Sequence, residues 1–166
     1  GIQYKRRDQN MPTLNEQLNE LHAAAELRMS HLKALYRGYV CTNDELNDTA
    51  EDLGYYSPDI DFAGCDDWQY DARATYALEW NYTPSDEDGP GYWRLLLSCG
   101  GPQEEIRFYG GTSFDHADFH LMNWGTNDRT RLHGDAEATA RAIFEEYEEL
   151  GMVEESTINA AEELDY

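Results

Sequence analysis

Apolar residues recur at two different spacings along this chain, and the change from one to the other divides it into three parts. Leu14, Leu18, Leu21, Ala25, Leu32 and Leu35 follow a heptad spacing interrupted only by Arg28, which predicts a long amphipathic helix. Thr13-x-x-Glu16 supplies a capping box at its start, and Gly38 marks its end, about seven turns later at 3.6 residues each. That seam has two readings: a face packed on a sheet, or a coiled-coil or homodimer interface through 14–35. Thr42-x-x-Glu45 opens a second, shorter helix that runs through Leu53 and closes at Gly54. The stretch Tyr55–Tyr70, rich in Asp and broken by Pro58 and Gly64, predicts a loop.

From Tyr76 the period becomes two. Tyr76, Leu78, Trp80 and Tyr82 share one side of a predicted strand, with Ala77, Glu79 and Asn81 on the other. Pro84 to Gly91 is a turn by composition. Tyr92–Ser98, Glu104–Tyr109 and Ala117–Trp124 are three further strands, separated by the turns at Cys99–Pro102 and Gly110-Gly111. Tyr92–Ser98 is the most apolar and is expected at the centre of the sheet. Short connections predict an antiparallel meander. The period then returns to helical: Asp135 is a candidate cap, and Ala140, Ile143, Phe144, Tyr147 and Leu150 form the apolar stripe. Gly151 stops this helix, and Glu154–Leu164 suits one more short helix.

The predicted fold class is therefore α+β: a four-stranded antiparallel meander flanked by helices, in the order ααββββα(α), with the helices on one face. Residues 1–12 are expected to be a tail outside the domain. Residues 13–166 are expected to be one α+β domain, with a helical part at 13–54, the sheet at 75–126 and an acidic helical part at 135–166. Gly1 is not a native start, and Met11, just ahead of the first helix cap, is the expected initiator; the basic patch Lys5–Arg6–Arg7 is given no function.

Charge changes the picture. The 166 residues hold 34 Asp and Glu against 12 Lys and Arg, a net charge of −22, with 40% apolar and 13% aromatic residues. The apolar and aromatic content excludes wholesale disorder. No apolar run is long enough for a membrane span or a signal-peptide core. The sign of the charge opposes direct binding to nucleic acid or anionic lipid. Cys41, Cys65 and Cys99 are odd in number and far apart, so a disulfide framework is not expected and a reducing cytoplasm is the simpler setting.

The acidity is not spread evenly. Residues 1–40 carry six basic and four acidic residues, whereas 41–91 carry fourteen acidic residues and only Arg73. Residues 92–134 are almost neutral, with five acidic and four basic residues, and 135–166 carry eleven acidic residues and only Arg141. A solvated helix face is the plain reading of such blocks. Salt adaptation is another, supported by the two lysines (Lys5, Lys33) and sixteen Asp. The neutral first helix and the neutral sheet segment count against salt adaptation, which favours charge over most of the surface. Glu145, Glu146, Glu148 and Glu149 crowd the end of a helix whose dipole is negative there. Each costs roughly 0.3–1 kcal/mol at low salt, besides mutual i,i+3 and i,i+4 repulsion. Selection for stability alone would place Lys or Arg there.

Other chemistry is weaker. Asp59-x-Asp61-x-Ala63-Gly64 begins like a calcium loop, but Ala63 takes a ligand position and Tyr70 stands where a bidentate Glu is needed. No metal or cofactor is therefore expected, beyond adventitious ions at Asp59/Asp61 or Asp66/Asp67. His116 and His120, beside Asp115 and Asp118, have the i,i+4 spacing that gathers ligands on a helix, yet they lie in a loop entering a strand. They are read as partly exposed sheet or loop histidines. No nucleophile elbow, P-loop or dinucleotide-binding glycine motif is present. Tyr55, Tyr56 and Tyr70 lie among the acids, where cation–π contacts would suit an arginine-rich groove.

The blocks 44–88 and 135–165 resemble, in overall character, the small acidic DNA-mimic proteins of phages and plasmids, of the antirestriction and anti-CRISPR type. The resemblance implies a non-enzymatic inhibitor whose carboxylates occupy the basic DNA- or RNA-binding groove of a host defence complex, a CRISPR surveillance complex or a restriction enzyme. Glu145, Glu146, Glu148 and Glu149 would be one rank of mimicked phosphates, and Asp44, Glu45, Asp48, Glu51 and Asp52 another. Asp59, Asp61, Asp66, Asp67, Glu154 and Glu155 extend these ranks. Two alternatives stand beside it. One is an acidic partner of a single basic protein (an immunity protein, antitoxin or chaperone), and the other is a metal-dependent enzyme using His116, His120 and Asp118.

Overall fold

The computed structural model describes residues 12–55, 67–111, 113–123 and 125–164. The first helix, α1, spans Leu14–Tyr36. Its capping box is reciprocal: Thr13 Oγ1 accepts from the Glu16 amide, and Glu16 Oε2 accepts from the Thr13 amide, both at 3.2 Å. Leu21, Ala25, Met29, Leu32 and Leu35 are buried in the chain's own core. From Leu21 onward the heptad seam is thus occupied within the chain, and only Leu14 and Leu18 remain exposed on it. Arg28, the interruption in that seam, is half-buried; its Nε and Nη2 donate to Glu104 Oε2 at 2.9 and 2.6 Å.

A 3-10 turn at Gly38–Val40 leads to α2, Asn43–Asp52, capped by Thr42. Helix α3, Asp67–Tyr76, corrects two expectations. The predicted loop ends earlier than Tyr70, and Tyr76 is the last residue of a helix rather than the first of a strand. Trp68, Ala72 and Tyr76, four apart, are the buried stripe of α3, and an alternation read backwards from Trp80 took in its last member. Leu78 is 53% exposed and belongs to neither element.

Five strands follow: β1 Glu79–Thr83, β2 Tyr92–Ser98, β3 Gln103–Gly110, β4 Phe114–Asn123 and β5 Thr126–Arg131. They form one antiparallel meander in sequence order. The sheet therefore has five strands, not four, and its middle strand is β3 rather than the more apolar β2. The added strand has the sequence TNDRTR, with no apolar residue. It sits at an edge, where backbone pairing to β4 suffices and no buried side chain is required. Strand β4 also begins earlier than Ala117, at Phe114, which is buried.

Alternation sorts the sheet into two faces. Trp93, Phe108 and Ala117 are register partners, as are Leu95, Ile106 and Phe119. These residues face the helices. Helix α4, Gly134–Glu149, lays Ala140, Ile143 and Phe144 on that face. Phe144 has ring centroids 5.2 Å from Trp93, 5.9 Å from Phe114 and 6.0 Å from Phe108. Helix α5, Met152–Leu164, is tied on by two indoles: Trp80 Nε1 donates to the Met152 carbonyl at 3.3 Å, and Trp93 Nε1 to the Val153 carbonyl at 3.2 Å. The opposite face, with Arg94, Glu105, Arg107, His120 and Arg129, is covered by no described element.

Two details of α4 differ from expectation. His133 occupies the cap position, and Asp135 lies inside the first turn. Leu150 is 67% exposed rather than part of the stripe, because the helix stops at Glu149 and Gly151 turns the chain with φ of 77°. No described helix is long and apolar enough to cross a membrane.

Candidate functional site

Helix α2 buries Leu46, Thr49 and Ala50 and leaves Asp44, Glu45, Asp48, Glu51 and Asp52 exposed. Asp44 and Glu45 sit in its first turn, where the helix dipole favours them. Between α1, α2 and the start of α4 runs a groove of about 390 Å³. Carboxylates of Glu26, Glu45, Asp48, Asp52 and Asp135 line it, with Met29 and Ala136 as apolar floor and Lys33 as its cation. Lys33 Nζ lies 2.9 Å from Asp135 and 3.6 Å from Glu45, and Arg37 Nη1 lies 3.0 Å from Asp135. Hydrogen bonds from Lys33 and Arg37 hold the Asp135 carboxyl below the usual carboxylate range. Asp52 is also engaged, 3.0 Å from His31 Nε2, whose Nδ1 lies 3.0 Å from the Tyr76 hydroxyl.

The second block lies at the far end of α4, roughly 15–21 Å from Asp135 at 1.5 Å per residue. Glu145, Glu148 and Glu149 are exposed there. Glu146 is not equivalent to them, which corrects the four-residue rank. Its Oε1 is 2.7 Å from Arg73 Nη1, and the same guanidinium donates through Nε to the Leu35 carbonyl at 2.7 Å and stands 4.4 Å from the Tyr36 ring centroid. The local counter-charge for this rank is thus Arg73, from α3. Arg141 turns instead towards Glu137 and the Phe114 ring. Glu154 and Glu155 are exposed in the first turn of α5, where the dipole favours them.

Among the described residues, Arg28, Lys33, Arg37, Arg73, Arg94, Arg107 and Arg141 each hold a carboxylate within 4.0 Å. The carboxylates of Asp44, Asp48, Glu51, Glu145, Glu148, Glu149, Glu154 and Glu155 form no such pair with any of them. The helical side therefore holds each of its described cations in an internal pair and leaves these carboxylates outside. Asp59, Asp61, Asp66 and Tyr56 lie outside the described residues; Asp67 is the first residue of α3. Tyr55 donates its hydroxyl to Asp71 Oδ2 at 2.6 Å, and Tyr70 is 68% exposed.

The histidine pair does not form a site. His116 and His120 both lie in β4, so four residues separate their Cα atoms by roughly 13 Å, too far to share one ion. His116 Nδ1 is 2.6 Å from Asp115 Oδ2, and its ring stacks on Tyr109. His120 is buried rather than partly exposed. Its Nδ1 meets Asn127 Oδ1 at 2.9 Å, its Nε2 has no hydrogen-bond partner, and burial pushes its pKa down. Among the described residues no group of three or more His, Cys, Asp or Glu is placed to hold a metal ion.

Sequence reasoning missed the polar network beside His120. Glu105 is buried, accepting from Gln103 Nε2 at 2.7 Å and Arg107 Nε at 2.8 Å, with Arg94 Nη1 at 3.8 Å. The signal was the spacing Gln103-x-Glu105-x-Arg107, three polar residues on one face of a strand. Cys41 and Cys99 are free thiols, and Cys65 lies outside the described residues. No family model, curated protein or solved structure matches the chain.

Proposed function

We propose that this chain is a non-enzymatic inhibitor whose acidic helical surface stands in for nucleic acid in the basic groove of a host defence complex, a CRISPR surveillance complex or a restriction enzyme. The observation that carries the reading is the division of charge on the helical side. Its cations are held in internal pairs, whereas Asp44, Asp48 and Glu51 of α2, Glu145, Glu148 and Glu149 of α4 and Glu154 and Glu155 of α5 are exposed and unpaired. Duplex DNA presents one charge per roughly 1.7 Å of axis, so a groove built for it is lined with cations. Carboxylates fixed on helices meet such a groove with little ordering cost, associate quickly by long-range attraction and weaken as salt rises.

The test is competition. A purified target complex and labelled duplex would be mixed with the protein across a salt series. Displacement that falls steeply with salt is expected. Charge reversal in an E145K/E148K/E149K variant, folded by circular dichroism, should abolish displacement; a D44K/D48K/E51K variant reports on the other block. If both variants displace DNA as well as the native chain, the acidic surface is not the inhibitory one.

The second reading, an acidic partner of one basic protein such as a toxin, is favoured by one feature. The groove at Lys33 has an apolar floor of Met29 and Ala136, suited to the stem of a single arginine or lysine more than to a rank of cations. Tight binding to one co-encoded basic protein, with nucleases and CRISPR complexes unaffected, would favour it.

A further inference from the structure

Strand β5 is an edge of the sheet, and its ladder with β4 fixes which of its backbone groups are already paired. The Leu132 amide donates to the Ala117 carbonyl at 2.9 Å, and successive residues of an antiparallel ladder turn their backbone groups to opposite sides. Thr126, Asp128 and Thr130 therefore pair with β4, whereas the N–H and C=O of Asn127, Arg129 and Arg131 point away from the sheet. Among the described residues no hydrogen bond takes up these outward groups. The side chains of the same three residues are exposed on the face turned away from the helices. Asp128 and Thr130 are half-buried on the other face, where α1 packs on β5.

Arg129 and Arg131 have a second property in common. Among the described lysines and arginines they alone hold no carboxylate within 4.0 Å. Arg129 stands opposite the buried His120, and Arg131 opposite Asp118, which makes no ion pair with it. We propose that the free edge of β5 is a docking site for an extended acidic segment of another protein. That segment adds to the five strands as a further antiparallel strand, with carboxylates opposite Arg129 and Arg131.

The occupant follows from the two sets of unused groups taken together. A strand paired to β5 satisfies the outward N–H and C=O groups at once. It also lays its own residues directly opposite Arg129 and Arg131, with Cβ atoms about 4.5–5.5 Å apart. Both arginines are on one face and two residues apart, about 6.8 Å along the strand, so the matching sequence has acidic residues at alternate positions. A basic or like-charged strand is repelled at the same two places, which is how edge charges select among strands. The net charge of −22 does not forbid the contact: the exposed carboxylates of α2, α4 and α5 lie on the helical side, and at physiological salt charges beyond roughly 8 Å are largely screened.

Other occupants fit less well. Two copies joined β5 to β5 in a symmetric antiparallel register would crowd the arginines of both onto one face. A nucleic-acid strand offers phosphates to the arginines, but a phosphodiester has no donor for the outward carbonyls of Arg129 and Arg131. The site is separate from the acidic helical surface and does not depend on what that surface binds.

Fluorescence anisotropy tests the proposal, with the full chain titrated up to about 1 mM against a labelled peptide of alternating glutamate and threonine at about 150 mM salt. Saturable binding is expected, and R129E/R131E should weaken it at least about tenfold. R129Q/R131Q, which removes charge without reversing it, should weaken it in the same direction. Residues of the peptide that face Arg129 and Arg131 are those whose backbone pairs with them, so N-methylation at the glutamates removes the hydrogen bonds and keeps the carboxylates. It should also weaken binding at least about tenfold. Amide exchange at Asn127, Arg129 and Arg131 should slow when the unmethylated peptide is added. Absence of binding overturns the proposal, as does binding indifferent to both arginine variants. A methylated peptide that binds equally well, or outward amides left unprotected, overturns strand addition. Oligothymidylate bound through Arg129 and Arg131 more tightly than the peptide would make the site a phosphate site instead.

Discussion

Replacing Glu145, Glu148 and Glu149 by Gln should make the protein more stable, and the size of the gain follows from where α4 puts them. Glu148 and Glu149 lie in its last turn, which contains no basic residue; at a dipole cost of roughly 0.3–1 kcal/mol each at low salt, they oppose the helix by about 1 kcal/mol together. Glu145 is spaced i,i+3 from Glu148 and i,i+4 from Glu149, adding two repulsions of about 0.2–0.5 kcal/mol. Gln has nearly the same helix propensity as Glu, so the background is neutral. The triple variant should therefore gain about 1–2 kcal/mol, or roughly 3–6 °C in Tm for a chain of this length. Urea titration followed by tryptophan fluorescence, in dilute buffer and again in high salt, measures it directly. Most of the gain should vanish in high salt. No gain at low salt, or one that persists unchanged in high salt, would refute the electrostatic argument. If the same variant no longer displaces DNA from its target, these carboxylates are kept for binding at the expense of the fold.

Arg73→Met removes the donor to the Leu35 carbonyl, the partner of Glu146 and the cation over Tyr36 while keeping much of the apolar stem. It should cost about 2–3 kcal/mol in urea, and a loss near zero would mean that α3 is held by packing alone. Phe144→Ala empties the position where Trp93, Phe108 and Phe114 converge; a loss of about 3–5 kcal/mol is expected, and a near-native midpoint would contradict the packing described. Burial lowers the pKa of His120 below its ordinary value of 6.5. The unfolded chain therefore takes up that proton first, so the stability His120 contributes is complete above about pH 6.5 and is lost as pH falls towards the folded value. Against a His120→Phe variant the native chain should lose more stability on acidification through this range; parallel curves would show that His120 does not titrate between the two states.

Helices α1 and α2 were legible in the sequence, because Thr13/Glu16 and Thr42/Glu45 mark their starts independently of tertiary packing, although only α1 closes the full box: at α2 the Thr42 hydroxyl accepts from the Glu45 amide and donates to Glu45 Oε1. Helix α3 was not, since its stripe of Trp68, Ala72 and Tyr76 holds only three apolar residues and follows a Pro- and Gly-broken stretch. Strand β5 left no hydrophobic signal at all: TNDRTR is specified by backbone pairing to β4 at an exposed edge. The acidic blocks could be counted from the sequence, but their pairing could not. Glu146 differs from its neighbours only because Arg73, 73 residues away in sequence, reaches it, and no helical wheel contains that fact.

Gly151 gives the acidic surface an adjustable joint. Its φ of 77° is one that side chains other than glycine's rarely adopt, yet an added Cβ would meet nothing within 4 Å. Substitution there is opposed by backbone conformation and not by collision, at roughly 1–2 kcal/mol. A variant chain could therefore fold and relieve the strain by changing the angle between α4 and α5, at the expense of the indole hydrogen bonds from Trp80 and Trp93 that hold the start of α5. The spacing between the carboxylates of Glu145–Glu149 and those of Glu154–Glu155 would shift with it. The fit of this surface to a cationic groove would then be tunable from a single backbone position that carries no charge of its own.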